Sequence, residues 1–182
     1  EMAIELNQRF AKYPEMTPLY NFFSGIPQET EDDIRKSLDL LLRLIKDNPS
    51  CQISGYHQYT PYPGSALYET AKANGFKEPE KLEEWGDVLL ETNARKCPWI
   101  APDRQKLLDM IYTMIYFADY KYEMYFSRNS ILHRLLLPLI KMYRPVCRFR
   151  LKHMISAFPV EVFLKDCFYR VMDRVNVAKQ GS

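Results

Sequence analysis

The chain has 182 residues, 47% hydrophobic, 14% aromatic and 26% charged. This is the composition of one globular domain, or of a part-domain with an appendage, and it excludes collagen-like, mucin-like and disordered-tail classes. The net charge of +2 balances unlike halves: residues 1–127 hold 14 Lys/Arg against 20 Asp/Glu, net −6, and residues 128–182 hold 11 against 3, net +8, so the two ends face different surroundings.

The longest uncharged apolar run, Leu135 to Ile140, falls far short of the roughly 20 residues that span a bilayer. The opening Glu1-Met2-Ala3-Ile4 has neither an initiator Met nor a basic-then-apolar leader, so no signal peptide and a fragment of a longer chain are expected. Cys51, Cys97, Cys147 and Cys167 are spaced too widely for a metal hook or a compact disulfide framework, which favours a reducing cytoplasm.

Residues 1–13 carry Met2, Ile4, Leu6 and Phe10 at partly helical spacing, and Pro14 stops the pattern. Leu19 to Ser24 is short, aromatic-rich and bounded by Pro18 and Gly25, which predicts a buried strand. Thr30 then reads as a helix N-cap, with Asp33 three residues on and Glu31 and Asp32 in the first turn, where carboxylates complement the helix dipole. Ile34, Leu38, Leu41, Leu42 and Ile45 continue as the apolar stripe of that helix, which ends at Asp47-Asn48-Pro49.

Cys51 to Tyr59 predicts a second strand before the turn residues Thr60 to Gly64. Strand, helix and strand form one βαβ unit, which forces parallel pairing and a right-handed crossover. A helix is predicted from Ser65 to Asn74, closed by Gly75 with Phe76 behind it as in a Schellman ending, and another around Leu82, Trp85, Leu89 and Leu90. Cys97 to Pro102 is a stiff linker and marks the expected boundary between residues 1–100 and 101–182. Beyond it Asp103 is the expected cap of a long helix burying Leu107, Leu108, Ile111, Met114, Ile115 and Ala118, and helices follow near 129–143, 146–157 and 160–177, divided by Pro145 and Pro159.

Gly-x-Gly-x-x-Gly, Walker-type Gly-Lys-Ser/Thr, His-Glu-x-x-His and Cys-x-x-Cys motifs are all absent from the sequence. Cys51 and His57 are expected on one face of the second strand, about 20 Å apart and too far to share a metal. His133 and His153, each in a basic helical context, read as surface or interface histidines. Two segments remain, Ser24 to Thr30 and Tyr59 to Gly64, each following a parallel strand, where ligands of parallel α/β folds bind. Gly25 lets a ligand approach the backbone and Pro27 stiffens the turn. Glu29, Glu31, Asp32 and Asp33 would repel an anion at the helix start, so a zwitterionic or cationic ligand fits better.

The run Phe22-Phe23-Ser24-Gly25-Ile26-Pro27-Gln28-Glu29-Thr30-Glu31-Asp32-Asp33-Ile34, followed by Tyr59-Thr60-Pro61-Tyr62-Pro63-Gly64-Ser65-Ala66-Leu67-Tyr68 and then Leu82-Glu83-Glu84-Trp85, resembles in order and spacing the second half of a radical S-adenosylmethionine enzyme. It most resembles the subgroup with an N-terminal cobalamin-binding domain, to which the anaerobic magnesium-protoporphyrin ester cyclases belong. The resemblance covers about residues 1–100. It implies an α/β fold, the C-terminal part of a partial TIM-type (β/α) barrel followed by an all-helical extension. The two strands would be about the fifth and sixth of the barrel. The Cys-x-x-x-Cys-x-x-Cys loop that holds the family's four-iron cluster is not in this sequence; the resemblance places it upstream, with the cobalamin domain.

The resemblance further implies that Phe23, Gly25, Ile26 and Pro27 support the adenine of S-adenosylmethionine, and that Gln58, Tyr59 and Thr60 border the adenine or the substrate. Asn21 and Gln28 stand where the family usually has glycines. The whole enzyme would cleave S-adenosylmethionine reductively to a 5′-deoxyadenosyl radical, with methyl transfer, cyclisation and rearrangement all open as outcomes and cobalamin use undecided; this chain alone would be inactive. Its partners would be a small-molecule substrate and the N-terminal domains of the same protein.

The competing expectation is a non-catalytic α/β-plus-helix interaction module. The tail bears on both, because Arg128, Arg134, Lys141, Arg144, Arg148, Arg150 and Lys152 occur with no acid between Glu123 and Glu161. That pattern suits a helical cap paired with acidic parts of the protein, or peripheral contact with an anionic membrane at the inner surface. Nucleic acid is not expected, since no recognised binding motif accompanies the charge.

Overall fold

A computed structural model describes residues 1–88, 97–120, 131–157 and 162. It is mixed α/β: helix α1 (Met2–Phe10), strand β1 (Leu19–Ser24), α2 (Glu31–Asp47), β2 (Gln52–Gln58), α3 (Tyr68–Ala73), a 3-10 helix over Leu82–Val88, α4 (Pro102–Ala118) and α5 (Ile131–Lys152). The predicted helices over 160–177 and around Leu89 and Leu90 lie wholly or partly outside the described residues, as does Cys167.

β1 and β2 pair in parallel, as the intervening helix requires. In β1 alternate side chains divide cleanly, with Tyr20, Phe22 and Ser24 turned inward and Leu19, Asn21 and Phe23 exposed. In β2 the alternation is broken: Tyr20 partners Ile53, but Asn21 partners Gly55, so Ser54 is an extra residue in the ladder. The bulge reverses the parity of the rest of the strand. Ile53 and Tyr56 both join the core, with Tyr56 stacked on Phe22 at 6.1 Å, while His57 pairs with Phe23 on the other face. Cys51 and His57 therefore do not share a face, contrary to the expectation from an unbroken strand.

α2 starts with the predicted capping box, in which the Thr30 hydroxyl accepts from the Asp33 N–H at 3.2 Å and the Asp33 carboxylate accepts from the Thr30 N–H at 2.9 Å. Its buried stripe is Ile34, Leu38, Leu41, Leu44 and Ile45. α1 is tied to the end of α2 by a polar knot: buried Asn7 donates to the Leu44 carbonyl at 2.9 Å and accepts from the Tyr20 hydroxyl at 3.2 Å. α3 starts at Tyr68 rather than Ser65, because Ser65 to Leu67 is spent in turns. The Schellman ending is present: Phe76 N–H donates to Ala71 O and Gly75 N–H to Lys72 O, with Gly75 at φ +94°.

α4 begins at Pro102 with Ala101 as N-cap, so Asp103 is a first-turn residue and not the cap. Proline suits that position because the first helical N–H has no partner to lose. The predicted face of α4 is buried, together with Met110 and Thr113. α5 runs unbroken through Pro138 and Pro145, where two helices had been expected. Both prolines are exposed, and Arg144, Cys147 and Leu151 anchor the opposite side. Cys147 Sγ donates to Met114 O at 3.2 Å, Arg148 Nε donates to Ala118 O at 2.8 Å, and the guanidinium of Arg144 lies 4.2 Å from the Tyr120 ring centre. A single hydrophobic core takes residues from α2, β2, α4 and α5, and so crosses the 97–102 linker.

Candidate functional site

The two predicted turns meet at the carboxyl edge of the strand pair. Tyr59 N–H donates to Ser24 O at 2.7 Å, and a Cβ added to Gly25 would lie 3.0 Å from Gln58 Cγ. The Ser24–Thr30 turn is closed by its own acid: the Glu29 carboxylate accepts from the Ser24 hydroxyl at 2.7 Å and from the Gly25 N–H at 2.8 Å. A carboxylate thus stands where an anion would otherwise be held.

Gly25 has φ +77°, and the same added Cβ would also lie 3.0 Å from Ile100 Cδ1. Trp99 closes over it, its indole N–H donating to Gly25 O at 2.8 Å. Glycine is required here by the backbone angle and by the protein's own packing, with no ligand needed to explain it. Gln28 is exposed and also left-handed, at φ +71°. Pro27 is buried and Ile26 half-buried. Phe23 is exposed on the outer face, its ring 6.1 Å from His57.

Gln58 is the hub of a polar chain joining the strand end to α4. Its amide nitrogen donates to Cys97 Sγ at 3.2 Å, its oxygen accepts from Gln105 Nε2 at 3.0 Å, and Gln105 Nε2 also donates to Asp109 Oδ1 at 3.0 Å. Beside this chain opens a cleft lined by Ser24, Tyr56, His57, Gln58, Leu108, Asp109 and Tyr112. Its enclosed part is about 20 Å³, room for about one water molecule. The edge of the Tyr112 ring faces His57, with centres 6.3 Å apart. Burial pushes the Tyr56 phenol up to about 12, against the pull of the Ser24 hydroxyl.

The hydroxyls of Tyr59 and Thr60 are buried and have no hydrogen-bond partner. Buried polar groups are seldom left so, which marks the exit of β2 as a place where water or a polar ligand group belongs. For iron the structure offers less: among the described residues no three His, Cys, Asp or Glu side chains come together as a metal set, and Cys51, Cys97 and Cys147 are buried thiols in no disulfide.

Phe23, Gly25, Ile26, Pro27, Gln58, Tyr59 and Thr60 thus all lie at or beside one strand edge. Trp99, Gln105, Asp109 and Tyr112 join them and escaped the sequence reading, because they come from beyond or near the linker and carry no local motif. Compared with known protein families, curated proteins and solved structures, the chain matches none.

Proposed function

We propose that this chain is the C-terminal part of a radical S-adenosylmethionine enzyme of the cobalamin-domain kind, supplying the last two strands of a partial barrel. The observation that carries the reading is the asymmetry of the sheet. On the far edge of β2 the Ile53 N–H donates to the buried Asp119 carboxylate at 2.9 Å, so a side chain meets that edge. β1, by contrast, has β2 as its one strand partner among the described residues, and Leu19 and Phe23 on its outer face are 61% and 53% exposed. A β1 edge without a second strand among the described residues, beside a β2 edge met by a carboxylate, is what the terminal pair of a longer parallel sheet would present, and it supports the reading.

When bound, S-adenosylmethionine supplies the reductive cleavage chemistry. The residues of this chain orient it: half-buried Ile26 as apolar surface backed by buried Pro27, Tyr59 and Thr60 through hydroxyls that lack partners. The four-iron cluster has no ligand set here and belongs, on this reading, to an upstream loop; cobalamin likewise belongs upstream.

The decisive experiment has two arms. The reading frame upstream of Glu1 should encode Cys-x-x-x-Cys-x-x-Cys, and the longer protein, reconstituted anaerobically with iron and sulfide, should show broad visible absorbance and release 5′-deoxyadenosine on reduction. The 182-residue chain treated alike should show neither. A frame without those cysteines, or a stoichiometric cluster on this chain alone, overturns the proposal. The second reading, a non-catalytic interaction module, is favoured by the small enclosed volume of the cleft and by the filling of the Gly25 approach with Ile100 and Gln58; the absent cysteines would leave it standing.

A further inference from the structure

On α5 the side chains divide into two opposed sets. Arg144, Cys147 and Leu151 are buried against the body of the protein. Leu139, Met142, Val146 and Phe149 are exposed by 60%, 76%, 49% and 58%. At 3.6 residues per turn these four fall within about 80° of one another, and their centre lies about 150° from that of the buried set. They form a ridge along the solvent side of the helix, continued by exposed Pro138 and Pro145 and ended by His153, whose ring lies 4.4 Å from that of Phe149. Exposed Lys141 and Lys152 flank the ridge on one side; half-buried Arg150 lies on the other, its guanidinium held by the Ala157 carbonyl at 2.9 Å. No Asp or Glu occurs anywhere between Glu123 and Glu161.

We infer that the solvent face of α5 is a docking surface for an anionic membrane, the ridge entering the interface shallowly while Lys141 and Lys152 meet lipid phosphates. Scattered exposed apolar residues are ordinary; a contiguous row of four is not. Charge complementarity names the occupant. An acid-free stretch whose exposed lysines, Lys141 and Lys152, border the apolar row matches a surface that is negative everywhere and apolar beneath. The attachment is peripheral, for among the described residues no helix is long and apolar enough to cross a membrane. α5 lies on α4 on the side away from the ridge, so docking leaves the strand-edge cleft formed with α4 intact. The inference does not depend on the radical-enzyme reading.

The test is co-sedimentation of the whole chain with vesicles of phosphatidylcholine alone and of equal parts phosphatidylcholine and phosphatidylglycerol, at low and high salt. Binding is expected to the anionic vesicles only and to weaken as salt rises. Met142→Asp/Phe149→Asp should lower the partition coefficient at least tenfold by placing charge where apolar groups insert. Lys141→Glu/Lys152→Glu should lower it at least twentyfold, about fivefold for each base lost near the surface. All four side chains are exposed, so unchanged circular dichroism and melting are expected and separate lost docking from lost folding. Failure of the folded wild-type chain to bind anionic vesicles at low salt overturns the inference. So does binding that Met142→Asp/Phe149→Asp leaves unaltered, which would reduce the attraction to charge alone, or equal binding to neutral vesicles.

Discussion

Gln28 and Gly25 show how the same backbone angle has different consequences at two exposures. Gln28 sits in the left-handed region with its side chain in solvent. A Cβ there is unfavourable by about 1 kcal/mol, so Gln28→Gly is expected to raise the urea midpoint by a corresponding amount; a lower midpoint would mean that the side chain makes a stabilising contact. Gly25 shares that angle inside a packed corner. Gly25→Val should cost about 2–4 kcal/mol, adding the angle to a clash with Gln58 and Ile100. Its signature is loss of thermal stability before any change in ligand affinity can be read. The thiols of Cys51 and Cys147 also belong to this scale. Burial pushes both up to about 12, leaving them protonated and inert at neutral pH. Iodoacetamide followed by mass spectrometry should modify both in denaturant and neither in the native state on the same timescale.

α2 is the element whose two ends are best provided for. Its Asp33 carboxyl is held below the usual carboxylate range, chiefly by the Thr30 hydroxyl, and its Asp47 carboxyl is lowered by the Arg43 and Gln8 side chains. A carboxyl lowered on folding stabilises the native state above the ordinary carboxylate pKa, about 4, and the contribution vanishes as pH falls through the lowered value. Stability should therefore decline on acidification below that point, and Asp33→Asn should flatten part of the decline in urea titrations run at falling pH. Thr30→Ala should cost about 1 kcal/mol by removing the cap. β2 depends on one carboxylate in a different way. Asp119→Ala would leave the Ile53 N–H without its acceptor on a buried strand edge, at a cost of about 2–3 kcal/mol. Amide hydrogen exchange should then speed up at Ile53, and protection equal to wild type would mean that another group covers that edge.

At the scale of the whole molecule, residues in and beyond the 97–102 linker make contacts with the strand pair. Trp99 reaches the Gly25 carbonyl, Gln105 reaches Gln58, and the core runs from α2 through β2 into α4 and α5. Unfolding by urea should accordingly be a single transition when followed by Trp fluorescence and by far-ultraviolet circular dichroism. Two separated transitions would show that the helices beyond the linker fold independently of the strand pair.

The βαβ unit, the Thr30 cap, the Schellman ending at Gly75 and the buried face of α4 were legible in the sequence, because each is set by interactions between residues a few positions apart. The bulge at Ser54 was not, since it is a property of the pairing of two strands. Nor was the continuity of α5 through Pro145: proline breaks a helix locally, and packing of Arg144, Cys147 and Leu151 on the opposite side overrides that tendency. The turn residues of the candidate site were visible as motifs, but their neighbours Trp99, Gln105, Asp109 and Tyr112 were not, because nothing near them in the chain hints at the strand end they serve. Local chemistry decided which segments are helix, strand and turn; which edge is closed, which glycine is enclosed and which helix face stays bare were decided by tertiary packing, where contacts between distant residues set burial and so determine what each polar or apolar group must find.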